Sequence, residues 1–409
     1  MHTTKIRRSE KNVSVWGEYD VAVAGGGIAG AAAALSAVRR GAKTCLIEKY
    51  SGLGGLATLG HVVVYLPLCD GNGRQICFGI AEEFLKVPMK YSLCKPPEAW
   101  QGVDSATKEE RAGKRYQLTF DPAPMAIGLE RLLDEAGVDI IYDTLVVDVN
   151  TDDGGALTHL VVENKSGCGA FAVKTVIDCT GDADICKMCG EETETASKNV
   201  RSAWYYAVDE NRRLEMGYAV DEYWKVDEKP EIPRFDGTDW RGVTAQIIES
   251  RKLILEDLAR LNRGRNEAGK SKLFPFYAPF LHGFRMTRHL VSDYVITSED
   301  VHKWHDDAVG LFPDWRNRGP VYALPLRSIL AVKTPNLAVA GRCISSAGDA
   351  WDVTRVIPVC AVSGEAAGIS AALAAGSGRT LRQVQAVEVQ EILKERGVVL
   401  DKALLDPVA

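Results

Sequence analysis

Six residues near the amino terminus carry the strongest chemical signal in the chain: Gly25-Gly26-Gly27-Ile28-Ala29-Gly30. They satisfy G-x-G-x-x-G. In that pattern the first glycine makes a tight turn, the second lets a pyrophosphate approach the backbone, and the third lets a helix pack closely on a strand. The helix amides, with Ile28 and Ala29 among the first, then face the phosphates. A second strand, "AKTCLIE", ends at Glu48, about twenty residues on, where a carboxylate can bind ribose hydroxyls. An ordinary exposed carboxylate is the alternative for Glu48, and it leaves that position unexplained. The pattern as a whole points to dinucleotide binding.

The elements that must position these residues lie in "VAVAGGGIAGAAAALSAV", residues 21 to 38, which holds no charged side chain. At about 1.5 Å rise per residue, such a stretch is only just long enough to cross a bilayer as a helix. Three consecutive glycines would break that helix near its middle, each costing roughly 1 kcal/mol against alanine. The pattern also changes there. "DVAVA" reads as a short buried strand, and "IAGAAAALSAVRRG" as an Ala-rich helix ending at Arg39, Arg40 and Gly41. Strand, glycine turn, helix is the reading that fits both halves.

Beyond Glu48 and Lys49, "EKYSGLGGLATLGH" brings a second glycine pair, Gly54-Gly55, followed by Ala57-Thr58. A simple nicotinamide dehydrogenase has no need of a second backbone approach at that point. Here the chain resembles the FAD-dependent oxidoreductases related to the succinate dehydrogenase and fumarate reductase flavoproteins. It is most similar to the shorter members that carry GG-x-A-T-x-G after the acid. The resemblance continues through "GVDIIYDTLVVDV", implying that the backbone near Val146 meets the adenine. It continues through "TVIDCTGDADI", a second FAD motif ending in Thr180-Gly181, and through the closing motif from residue 336 to 374. In that last motif a strand delivers Gly341 and Arg342 under the flavin before a Gly/Ala-rich helix. Many relatives have an acidic residue after that glycine to hold the ribityl chain. With Arg342 there, the contact is made differently or by backbone.

The resemblance implies FAD as cofactor. The fold it implies is α/β: a Rossmann-like, glutathione-reductase-type FAD-binding domain with an inserted α+β substrate or cap domain. The FAD-binding domain is then discontinuous, at 15–85, 115–190 and 320–376. Residues 191–319 form the cap, 86–114 a polar and mobile-looking loop, and 377–409 a tail with an amphipathic helix closed by Gly397. Only one dinucleotide fingerprint is present, so no dedicated nicotinamide domain is expected.

A flavin supplies hydride chemistry itself, and the protein contributes orientation, charge and proton transfer. A helix amino terminus or an arginine stabilises the negative charge of the reduced ring. Pro358 suits the first turn of the last long helix, and Arg355 and Val356 lie just before it. Arg355 is thus the candidate for the pyrimidine edge, against a salt bridge with Asp352 or Asp349. His61, after the second glycine pair, is a candidate proton relay or a site of covalent flavin attachment as in some relatives. The alternative is a buried, hydrogen-bonded histidine. If "GFRMTRHLV" is a strand, Arg285 and His289 share one face and suit a carboxylate or other anionic substrate, while Arg288 points the other way. Salt bridges to Asp293, Glu299 or Asp300 are the competing reading. Tyr322 and Arg327 are comparable candidates. Cys186 and Cys189 form a C-x-x-C pair, read as coincidence on a helix rather than a redox dithiol, and no cluster has metal-ligand spacing.

Composition sets the frame. The chain of 409 residues is 46% hydrophobic and 25% charged, with a net charge of −6, which gives no reason to expect nucleic acid or an anionic membrane as partner. The polar, basic first twenty residues lack an apolar export segment, so a cytoplasmic location is expected, with the ten cysteines as free thiols. The leading function is transfer of a hydride between a small polar or anionic substrate and flavin N5. The alternative is an electron-transfer subunit serving a protein partner, a class that favours cysteine-ligated iron–sulfur motifs not found in the sequence. A non-catalytic flavin sensor is a third reading with no feature in its favour.

Overall fold

The apolar stretch 21–38 divides at its glycines. In this computed structural model, which describes residues 12–102, 106–196, 199–222 and 229–407, strand β1 spans Ser14–Ala24 and helix α1 spans Ile28–Val38. Gly25 has φ +103°, in the region that favours glycine, and a Cβ there would lie 2.4 Å from the Cys179 carbonyl oxygen. Ten of the eleven residues of α1 are buried, and the chain reverses at Gly41 with φ +80°.

β1 sits within a seven-stranded sheet. Its other strands are β2 (Thr44–Ile47), β3 (Asp139–Ile141), β4 (Leu145–Thr151), β5 (Leu157–Asn164), β6 (Gly167–Asp178) and a last strand, Leu337–Val339. The spatial order is β3-β2-β1-β6-β5-β4, with the last strand pairing β6. β3, β2, β1, β6 and the last strand run parallel, whereas β4 and β5 form an antiparallel meander onto the first half of β6. Ala24 pairs with Ile47 and Asp178, and Asp178 with Val339. Gly25, Glu48, Cys179 and Ala340 therefore leave the sheet along one edge, at the carboxyl ends where open α/β sheets bind ligands.

The inserted region builds its own sheet from β7 (Ser202–Asp209), β8 (Leu214–Val220) and β9 (Leu273–Tyr277), with β7 in the middle. Helix α2, Trp240–Glu267, starts at Asp239, whose carboxylate accepts the Gly242 amide at 3.0 Å. Its Ile254 and Leu258 pack on Ala203, Tyr205, Ala207, Ala219 and Leu273, a small core of its own. The segment 283–291 is not one strand. Only Arg288–Leu290 pairs, with Thr193–Thr195, because the Asn199 carboxamide oxygen takes the backbone amides of Arg285 and Met286 at 3.1 and 3.4 Å. The described part of 86–114 is anchored rather than loose. Trp100 is buried, stacks on Tyr116 at 4.9 Å and donates its indole N–H to the Lys114 carbonyl at 2.7 Å.

Helix α3, Ile357–Ser377, is long and apolar enough to span a bilayer, yet 94% of that apolar window is buried in the protein. It crosses α1 at glycines: a Cβ on Gly364 would be 2.3 Å from the Ala29 carbonyl oxygen, and one on Gly368 2.2 Å from that of Ala33. Helix α4, Ala386–Glu395, turns Val389, Ile392 and Leu393 inward, and the chain turns at Gly397 with φ +83°.

Candidate active site

The strand ends open into a cleft of about 230 Å³ bordered by β1, β2, β6, the last strand, the start of α3 and the segment 281–285. The two glycine turns form its floor. The Gly54 amide donates to the Gly26 carbonyl at 2.8 Å, and Gly55 lies against Gly27. Gly25, Gly27 and Gly30 divide the labour: Gly25 turns, and Gly30 lets the helix close on the strand, a Cβ there falling 1.8 Å from the Gly25 oxygen. Gly27 borders open space, with nothing within 4 Å of a Cβ. Gly27 is the residue before α1 and has no side-chain cap, which leaves the first helix amides, at Ile28 and Ala29, for an anion.

Glu48 is buried and fixes this turn. One carboxylate oxygen accepts the Gly26 amide at 2.6 Å and the other the Tyr50 amide at 2.9 Å, while burial pushes its pKa up. Each oxygen keeps a lone pair for a ribose hydroxyl. Lys49, Ala57 and Val146, with Thr144 and Leu145, border the cleft, as do Thr180 and Gly181. Thr58 does not; its hydroxyl donates to the Leu53 carbonyl at 2.5 Å and braces the second turn. Gly341 and Arg342 reach the cleft from the last strand. The Arg342 guanidinium covers Gly181, donates to the Phe284 carbonyl at 2.6 Å and lies 3.6 Å from Asp182. Arg342 thus ties the segment at Phe284 to the sheet edge.

The catalytic candidates separate. Arg285 lines the cleft. Its guanidinium lies 5.5 Å from the Tyr218 ring centroid and 3.5 Å from the Ser202 hydroxyl, and among the described residues no carboxylate pairs with it. Arg355 and Val356 line the cleft at the start of α3, and the Arg355 guanidinium is held by Asp352, one of the two salt-bridge partners of its alternative reading. The other four candidates face elsewhere. His61 is 2% exposed with φ +56°, stacked on Tyr277 at 4.8 Å; its neighbours Val62 and Val64 line the cleft, and it does not. His289 donates from Nδ1 to the Leu290 carbonyl at 2.8 Å, has Glu194 3.3 Å from Nε2 and packs edge-on against Trp351. Tyr322 is buried and stacked on Phe312 at 5.3 Å. Arg327 is engaged by Asp307 and lies over Tyr294 at 4.4 Å. Arg288 pairs with Asp184 at 2.6 Å, a partner not among its expected ones.

His282 and Asp182 border the cleft without having been singled out in the sequence. Burial and the positive charges of Lys49 and Arg342 push the His282 pKa down to about 4, so its imidazole is neutral at physiological pH. All ten cysteines are free, and burial raises the pKa of Cys186 and of Cys189, which disfavours a reactive thiolate pair. Among the described residues, no three His, Cys, Asp or Glu side chains gather as a metal site.

This architecture fits a dinucleotide: a glycine turn at whose Gly27 the Cβ space is open, two helix amino termini at the rim of the cleft, and the buried Glu48 carboxylate beside them. A model of the FAD dependent oxidoreductase family matches residues 20–225 and 195–393. Among solved structures, the chain is similar to a geranylgeranyl bacteriochlorophyll reductase-like protein from Thermoplasma acidophilum, with 16% identity over 93% of this chain and 84% of that one and a TM-score of 0.48. It is also similar to a 3-ketosteroid-delta4-(5alpha)-dehydrogenase from Rhodococcus jostii, with 16% identity over 88% and 98% of the two chains and a TM-score of 0.40. An adenosine-5-phosphosulfate reductase shows 14% identity over 94% and 74%, with a TM-score of 0.48. No curated protein matches the chain. The family match runs from β1 through the inserted region to α4, and on it the chain belongs to the FAD dependent oxidoreductase family, an oxidoreductase with FAD as its cofactor.

Proposed function

We propose that this protein transfers a hydride between a small polar or anionic substrate and FAD. FAD, when bound, supplies the hydride chemistry at its N5 atom. The observation that carries the substrate side is Arg285, half-buried at the cleft wall, held by Tyr218 and unpaired with any carboxylate among the described residues. A guanidinium in that setting binds and orients an oxyanion through charge-assisted hydrogen bonds. Arg355 and the amino terminus of α3 add positive potential at the same wall. Val62, Val64, Leu66, Leu281 and Phe284 give the cleft apolar walls that exclude water. Neutral His282 offers one donor and one acceptor without adding charge.

The test is anaerobic bleaching of the bound flavin by a panel of small acids, alcohols and amines. Arg285→Ala should retain FAD and its melting temperature while losing roughly ten- to a hundred-fold in substrate affinity, the size of one charge-assisted contact of about 1.5–3 kcal/mol. Unchanged turnover in that variant would remove Arg285 from the substrate side. Lowered melting temperature with intact turnover would make it a structural residue.

A further inference from the structure

A second, smaller cavity opens on the cap side of the cleft. It is bordered by Asn199, Ser202, Gly283, Arg285, Met286 and Arg355, with two valines closing it. Arg285 and Arg355 border both cavities, so the two spaces meet at the two guanidinium groups. The small cavity holds about 40 Å³, room for about three water-sized atoms. That volume suits a carboxylate and not a ring.

We infer that this cap-side cavity is an anion subsite that seats the carboxylate of a small organic acid, with Arg285 as its charge partner. The inference deepens the reading above and rests on it, because it places the substrate between the cap and the cofactor cleft. Arg285 has donors to spare: among the described residues its guanidinium makes a single hydrogen bond, the 3.5 Å approach to the Ser202 hydroxyl, and Ser202 is itself buried. The Tyr218 ring steadies the guanidinium without neutralising it. Asn199 is a positioning residue. Its carboxamide oxygen takes the amides of Arg285 and Met286 and its nitrogen donates to the Met286 carbonyl at 3.0 Å, which fixes the backbone that presents Arg285. Arg355 is partly neutralised by Asp352 and stands before the amino terminus of α3, whose dipole favours an anion at the same wall. Gly283 keeps the cavity open, since a Cβ there would lie 3.1 Å from the Ser202 carbonyl oxygen and 3.3 Å from its hydroxyl.

The experiment is calorimetric titration of the FAD-loaded protein with acetate and with acetamide, its neutral isostere, at constant ionic strength. One acetate per chain is expected, bound at least tenfold more tightly than acetamide. Arg285→Gln should erase that preference, Arg285→Lys should keep part of it, and Gly283→Val should block acetate while FAD content stays at the wild-type level. Equal affinity for acetate and acetamide, or acetate binding untouched in Arg285→Gln, would overturn the subsite. Acetate binding without flavin bleaching by any small acid would support the subsite and count against the proposed reaction. Reduction of the flavin by a neutral substrate, unchanged in Arg285→Gln, would do the reverse.

Discussion

Gly27 and Glu365 show opposite uses of a single residue. A Cβ at Gly27 meets no atom, because the glycine borders the open cleft. Gly27→Val should therefore fold with a near-normal melting temperature as apoprotein, yet lose at least tenfold in FAD occupancy, read as flavin absorbance per chain. Normal FAD content in that variant would displace the pyrophosphate from this turn. Glu365 is 2% exposed within α3, and burial pushes its carboxyl up to about 7, with the Ile80 amide its hydrogen-bond donor at 2.9 Å. The folded chain thus keeps a proton that the unfolded chain releases near its ordinary value of 4.5. The contribution of Glu365 to stability must fall as pH rises from about 4.5 to 7, by at most about 3.5 kcal/mol at roughly 1.4 kcal/mol per pKa unit. Glu365→Gln should match the wild type at pH 5 and exceed it in stability at pH 8; parallel melting profiles across that range would contradict this. The turn at Gly25 and the close packing at Gly30 were legible in the sequence because they depend on backbone geometry within a few residues. The catalytic candidates were not. Arg285, His289, Tyr322 and Arg327 all have suitable chemistry, and only packing between distant segments decides which one faces the cleft. Asn199 bends the chain at Arg285, 86 positions away, and no periodicity announces that contact.

At the scale of elements, the crossing of α1 and α3 brings two helix amino termini to one cleft. It depends on Gly364 and Gly368 in α3, where the α1 backbone and Ser36 fill the space of a Cβ. Ser363 then takes the Gly341 amide at 3.0 Å, linking α3 to the turn after the last strand. Gly368→Ala should cost about 1–3 kcal/mol through overpacking. Gly376 lies in the same helix with open space around it, so Gly376→Ala should be neutral or stabilising by up to about 1 kcal/mol. Urea titrations of the two variants make the comparison, and equal effects would show that the crossing tolerates a methyl group. The strand–turn–helix and the Ala-rich last helix were readable because apolar runs and glycines mark them directly. "GFRMTRHLV" misled because a β-like composition extends beyond the three residues that pair with Thr193–Thr195. The 86–114 segment misled differently: its charges suggest a loose loop, whereas the buried Trp100 holds it down.

For the whole molecule, the cleft gathers residues from Gly25 to Cys360, more than 300 positions apart, so it exists only when the sheet, α3 and the segment 281–285 are all in place. FAD must then bind the folded chain and not the unfolded one, and binding adds stability by mass action. At a free FAD concentration a hundred times its Kd the gain is about 2.7 kcal/mol. For a chain larger than the 150–250-residue domains that shift by about 2–4 °C per kcal/mol, this corresponds to a rise of a few degrees. The melting temperature of FAD-stripped protein should therefore climb steadily with the logarithm of added FAD once the site is saturated. Arg342→Ala cuts the tie from the sheet edge to the Phe284 carbonyl, so it should need a higher FAD concentration to reach the same melting temperature while keeping the same slope. A melting temperature that ignores FAD over a hundredfold range above saturation would mean that the unfolded chain binds FAD as well as the folded one. That outcome is incompatible with a site assembled from such distant segments.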